Sequence, residues 1–394
     1  MSTINTSLHP DISNTPFSAG SYIKSLDGLR AVAITLVMLY HFEILHFGWI
    51  GIQLFFVLSG YLIGGILLRE KMQPADLGVR LRKFWGRRVL RIFPVYYAYL
   101  LAFALICAVT GFPPAYWRQL PYLLTYTYNL TFFGNWSLSS VYTHLWSLCV
   151  EEQFYLTFPL LIFLLSLKRL RVLTLVILLL GPAFRWWLVY FMQLHGKADY
   201  QAWDIVYTFP LSYLDAFFIG AGLHLFSLQR SVRKPHWYFI AALMITLAAG
   251  TANYLLADKT SIRGYDFDSH YAPYWSVLGF YVRDISSYGH VWYFLVLNFL
   301  SAAILLLLTS EFHSPLQRAL TALLETKPLV AIGKVSYGMY IFHFILQIVI
   351  IKTIHLPVYL LFLLDFLLVY LLAAASYYLL EQRFMRLKSK YGRG

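Results

Sequence analysis

Ten stretches of about 20 mainly apolar residues recur along this chain, and a helix needs a run of that length and character to cross a bilayer. They lie near 27–46, 49–68, 90–110, 144–167, 172–194, 209–228, 237–257, 288–309, 330–351 and 357–381. Lipid offers the backbone no hydrogen-bond partner, so each stretch must satisfy its own N–H and C=O groups as a helix. The 394 residues are 59% apolar and only 12% charged, with mean hydropathy +0.62. The expected fold is an all-α integral membrane protein, a polytopic bundle of about ten transmembrane helices. Short turns join the first two stretches and the last two, which predicts two antiparallel hairpins.

Lysine and arginine placement sets the expected orientation. With the N-terminus cytoplasmic, the inner segments hold Lys24, Arg30, the basic residues from Arg69 to Arg91, Lys168 to Arg171, Arg230 to Lys234, Arg318 to Lys334 and Arg383 to Arg393. Arg118, Lys197, Lys259, Arg263, Arg283 and Lys352 fall outside. Both termini are thus expected in the cytoplasm. The net charge of +13 then reflects basic cytoplasmic loops, and no nucleic-acid partner is expected. Residues 1–20 read as a disordered polar tail without the basic start and apolar core of a cleaved signal peptide. Residues 21–385 form the transmembrane domain, and 386–394 a basic tail. The outer loops 111–143 and 258–287 carry Trp117, Trp136, Tyr265, Tyr271, Tyr274 and Trp275. Such rings are interfacial anchors, and they also stack on sugar faces. The two cysteines, Cys107 and Cys149, allow at most one disulfide, and no metal-ligand spacing occurs.

Ionisable groups inside these stretches are expensive and normally face the protein interior. Arg30 and His41 share one face of the first helix, eleven steps or about 16.5 Å apart. This places Arg30 at the membrane edge and His41 near mid-bilayer. Asp27 lies three residues before Arg30 and can pair with it. Histidine titrates near neutrality and is the usual general base, although a satisfied core histidine accounts for a lone one equally well. In FFVLSGYLIGG, Gly60 and Gly64 allow close helix approach, and Ser59 fits the lining of a narrow channel better than a nucleophile. The segment Arg80, Arg82, Lys83, Arg87, Arg88, Arg91 contains no acid. It can grip phosphates, or it can serve topology and anionic headgroups. Arg88 and Arg91 adjoin a span and are the candidates for a specific role. In THLWSLCVEEQFY, helical spacing puts His144, Ser147, Glu151 and Tyr155 on one face, with Glu152 beside it. The two acids can orient a histidine or pair with an arginine such as Arg185. Asp215, Asp365, Glu381 and the face Ser336, Tyr340, His343 complete a polar interior.

These landmarks, in order, resemble the acyltransferase 3 family of membrane O-acyltransferases. The carriers are LDGLRA with Arg30 and His41, FFVLSGYL, RRVLRIFP with Arg88 and Arg91, WSLCVEEQFY, YLDAFFIG and GKVSYGMYIFH. They span residues 21 to 385. In SYYLLEQRF, Arg383 stands where the family often has proline, a departure expected to alter a helix terminus only. The resemblance implies transfer of an acyl group, commonly acetyl, from cytoplasmic acyl-CoA to a hydroxyl. The acceptor is a sugar of a surface polysaccharide, lipid-linked glycan or small glycoside, and no metal takes part. It also implies the cytoplasmic (inner) membrane of a bacterium, and a standalone form without an appended hydrolase-like domain.

On that basis His41 is expected to act as general base, oriented by Glu151 or Glu152. Arg88, Arg91 and Arg30 are expected to hold the acyl-CoA phosphates, with Ser59 along its arm. Asp27, Trp146, Ser147, Tyr155, Asp215, Ser336 and His343 are the expected substrate-binding residues. The rival reading is a transporter that uses the same buried charges as a proton or solute path.

Overall fold

The computed structural model describes residues 22–111, 116–134, 141–257 and 272–387. The predicted N-terminal tail, most of the C-terminal tail, and Trp136, Lys259, Arg263, Tyr265 and Tyr271 lie outside the described residues. The helices are α1 (Lys24–His41), α2 (Ile50–Lys71), α3 (Leu77–Thr110), α4 (Tyr116–Leu124), α5 (Trp146–Leu164), α6 (Leu167–Leu194), α7 (Asp199–Thr208) and α8 (Leu214–Leu225). They continue with α9 (Leu228–Ser231), α10 (Pro235–Leu256), α11 (Tyr274–Val277), α12 (Gly289–Thr309), α13 (Pro315–Leu324), α14 (Lys327–Thr353), α15 (Val358–Ser376) and α16 (Gln382–Arg386). No strand occurs among the described residues.

Each of the ten predicted stretches falls on a helix. Eight described helices are long and apolar enough to cross a membrane, or nine if the bent pair Asp199–Thr208 and Pro210–Leu225 counts as one span. The pair bends by 67°, where Pro210 cannot continue the ladder of α7. The helix α1 is less apolar because Lys24, Asp27 and Arg30 stand within its 18 residues. The third span differs from expectation. It begins at Leu77, so the basic segment is helix rather than loop. At 34 residues, α3 rises about 51 Å, well beyond the hydrocarbon thickness of about 30 Å. A hydropathy window locates only the lipid-length part of such a helix. At the other end, the chain runs through a π-helical turn at Tyr377–Glu381 into α16, past Arg383.

The bundle is centred on α2. In its most apolar window 72% of residues are buried, against 17% for α10, which lies at the periphery. Close approach explains the glycines in FFVLSGYLIGG. A Cβ on Gly60 would lie 2.1 Å from the Phe217 carbonyl oxygen, and one on Gly220 2.1 Å from that of Val57. The backbones of α2 and α8 therefore touch, as small residues permit. A methyl there forces the helices apart. Gly60→Ala is expected to cost about 1–3 kcal/mol and to lower the unfolding temperature in detergent; an unchanged temperature would contradict this contact. Similarly, a Cβ on Gly333 of α14 would lie 1.8 Å from the Asp27 carbonyl oxygen of α1. Gly338 packs on Ala373 and Ile350 clusters with Leu361, which makes α14 and α15 the antiparallel hairpin expected.

Candidate active site

A cavity of about 190 Å³ lies between α1, α2, α3, α5 and α14. From α2 it is lined by Ile52, Phe55, Phe56, Ser59, Leu62, Ile63 and Ile66, the three-and-four spacing of one helical face. Fourteen steps give the cavity a length of about 21 Å along that helix. The same spacing on α5 turns Ser147, Glu151 and Tyr155 inward, with Glu152 beside them. This is the face predicted from the sequence. Ser336, Tyr337 and Tyr340 complete the wall from α14.

One end of the cavity is cationic, formed by Arg30, Arg88 and Arg91. Arg30 is paired with Asp27, which also accepts from Tyr22. Arg88 lies over the rings of Phe84 and Tyr155, 5.6 and 5.5 Å from their centroids. Among the described residues neither Arg88 nor Arg91 has an ion-pair partner. Both are half-buried, and Glu151 and Glu152 line the same cavity. Glu151 accepts hydrogen bonds from the hydroxyls of Ser59 and Tyr155. Ser59 is therefore a wall group tied to a carboxyl. The basic segment itself holds no acid, but Glu70 of α2 pairs with its Lys83 at 2.7 Å.

His41 is the last residue of α1 and does not line the cavity. It belongs to a histidine group at the end away from the arginines. Its ring centroid is 5.2 Å from that of His343, which lies 5.0 Å from His144. Phe344 packs at 4.8 Å from His41, and the Gln347 amide donates to the His41 carbonyl. His343 Nδ1 lies 2.7 Å from the Tyr340 carbonyl and His144 Nε2 lies 3.1 Å from that of Ile341. A carbonyl only accepts, so those nitrogens carry the protons. In a neutral ring this leaves His343 Nε2 and His144 Nδ1 as lone-pair acceptors, and both are buried without a hydrogen-bond partner. Between the histidines and the cavity stands Tyr340. Its hydroxyl meets Ser147 at 2.5 Å and the His144 carbonyl at 2.9 Å.

The structure corrects several expectations. Arg30 lines the cavity, whereas His41, on the same helix, does not. Neither Glu151 nor Glu152 is hydrogen-bonded to His41, because both face the cavity. Asp27 holds Arg30 and does not line the cavity. Trp146 is buried in aromatic packing against Tyr207 and Tyr213 at 4.8 and 5.8 Å. Asp215 is paired at 2.8 Å with Arg185, both fully enclosed. Arg185 thus answers to Asp215 rather than to the α5 acids. His343 lies in the histidine group, whereas Ser59, Ser147, Tyr155 and Ser336 do line the cavity. His144, Tyr340 and Gln347 carried no assigned role, although His144 shared the Ser147–Glu151 face. Cys107 and Cys149 are buried and unlinked. Among the described residues no three His, Cys, Asp or Glu side chains are placed to hold a metal.

Fold and cavity together define a polytopic membrane protein with a cation-ended cavity among its helices. The chain belongs to the acyltransferase 3 family, whose acyltransferase domain matches residues 23–381. It is 29% identical over 387 residues to the O-acetyltransferase OatA of Staphylococcus aureus, covering 91% of this chain and 57% of that protein. It is 35% identical over 185 residues to the peptidoglycan O-acetyltransferase OatA of Listeria monocytogenes, 42% of this chain and 29% of that protein. The putative peptidoglycan O-acetyltransferase YrhL of Bacillus subtilis is 39% identical over 158 residues, 35% of this chain and 23% of that protein. The chain spans little more than half the length of the first of these relatives and less of the other two. No solved structure matches it.

Proposed function

We propose that the protein is a membrane-bound O-acyltransferase that moves an acyl group, with acetyl as the expected case, from cytoplasmic acyl-CoA to a sugar hydroxyl. The observation that carries this reading is the pair of arginines without an ion-pair partner among the described residues, Arg88 and Arg91, at one end of the cavity. A polyanionic ligand supplies the charge they lack, and the arginine fork suits phosphate oxygens. The basic length of α3 beyond the lipid supports a cytoplasmic position for that end, and both termini are proposed to lie inside. The pantetheine arm lies along the α2 face and brings the thioester towards Ser147 and Tyr340. His41 takes the proton of the acceptor hydroxyl, and the neighbouring His343 and His144 supply further proton-accepting nitrogens. The hydroxyl oxygen bonds to the thioester carbon, the C–S bond breaks, and the CoA thiolate receives the proton. The names of the Listeria and Bacillus relatives support a glycan acceptor, and the apolar helices support a membrane setting, proposed to be a bacterial cytoplasmic membrane.

Hydrogen bonds to charged groups contribute about 1.5–3 kcal/mol each. Arg88→Ala and Arg91→Ala are each expected to weaken acetyl-CoA binding by about tenfold to a hundredfold, read by calorimetric titration of the detergent-solubilised protein. Affinity equal to wild type in both variants would overturn the phosphate assignment.

A further inference from the structure

The cavity and His41 are separated by Tyr340, and the chemistry has to take place at that separation. The Tyr340 ring lies 5.3 Å from His343 and 5.7 Å from His144, while the same side chain lines the cavity. Three contacts surround its hydroxyl pair. Tyr340 meets the His144 carbonyl at 2.9 Å, Ser147 meets the same carbonyl at 3.2 Å, and the two hydroxyls lie 2.5 Å apart. A Ser and a Tyr hydroxyl bring one proton each, so two donors serve three contacts. With Ser147 donating to the His144 carbonyl, the Tyr340 proton can leave that carbonyl and turn into the cavity, giving up one of the three contacts. Other wall hydroxyls are committed. Tyr337 donates to the Ile92 carbonyl at 2.9 Å, and Ser59 and Tyr155 donate to Glu151. Ser336 stands one turn of α14 nearer the arginines.

A thioester carbonyl gains negative charge as a hydroxyl adds to it, and a fixed donor at that oxygen stabilises the transition state far more than the ground state. We propose that Tyr340, backed by Ser147, is a catalytic residue that donates a hydrogen bond to the acyl carbonyl oxygen during transfer. The proposal rests on the acyltransferase reading above. As the acceptor oxygen bonds to the carbonyl carbon and His41 takes its proton, the carbonyl electron pair moves onto oxygen, where the Tyr340 O–H meets it. The pair returns as the C–S bond breaks, leaving an ester and a CoA thiolate that takes up the proton.

The test is Tyr340→Phe, which keeps the ring and removes only the O–H. With acetyl-CoA and a cell-wall glycan acceptor, kcat for acceptor-dependent CoA release is expected to fall by about 10²–10³-fold. The KM for acetyl-CoA and the unfolding temperature should stay within about twofold and about two degrees of wild type. A kcat within about threefold of wild type would overturn the proposal, and so would an equal loss of kcat and acetyl-CoA affinity, which marks a structural role. Should Tyr340→Phe fail to insert, Ser147→Ala takes its place, and an unchanged kcat there overturns the hydroxyl pair. If wild type itself releases no CoA with acceptor present, the acyltransferase reading fails rather than the assignment of Tyr340 within it.

Discussion

His41→Ala is expected to lower acyl transfer by about 10²–10⁴-fold, the range a positioned general base supplies. The fold should tolerate the change. His41 ends α1; alanine gives up its ring contacts with His343 and Phe344 of α14 but retains the backbone carbonyl that accepts from Gln347. The rest of α1 is fixed by the close approach of Gly333 to Asp27 and by the Asp27–Arg30 pair. Acyl transfer should be assayed beside size-exclusion behaviour and unfolding temperature in detergent. Full activity in a folded His41→Ala protein would remove His41 from the mechanism.

The second large effect is on stability. Asp215→Ala leaves the Arg185 guanidinium charged and fully enclosed, donating to the Ser212 carbonyl at 2.8 Å and lying 4.8 Å from the Phe294 ring centroid. Breaking one side of a buried pair costs about 3–5 kcal/mol. The double change Arg185→Met with Asp215→Leu should recover most of that loss, because it removes both charges and keeps apolar volume. Thermal unfolding of the three proteins in one detergent checks both statements. An unfolding temperature for Asp215→Ala equal to wild type would mean that the pair does not hold α6 to α8. Activity should follow stability here, since α8 lies behind the cavity wall, its Gly220 against α2 and its Phe217 stacked 3.8 Å from Phe154 of α5.

The helices and much of the cavity wall were legible because both follow local periodicity. Apolar length marks a span, and the spacing of Ser147, Glu151 and Tyr155 turns one face inward wherever α5 packs. Arg30 and His41 were rightly aligned on one face of one helix. That alignment did not reveal that Arg30 lines the cavity while His41 does not. Tyr340 and Ser147 meet across 193 residues of chain, and no local pattern encodes such a meeting. The same holds for Asp215 with Arg185 and for Glu70 with Lys83. A lone intramembrane charge looks functional until its partner on another helix is known. The early start of α3 was hidden because charged residues form good helix without being apolar.

Free CoA release from acetyl-CoA by the purified protein, with and without a cell-wall glycan fraction, tests the central claim most directly. Release that depends on the glycan, with labelled acetyl recovered as an ester on it, is the predicted result. Flux of a proton or solute across proteoliposomes with no CoA released, in protein shown to be folded, would contradict it and establish a transporter instead.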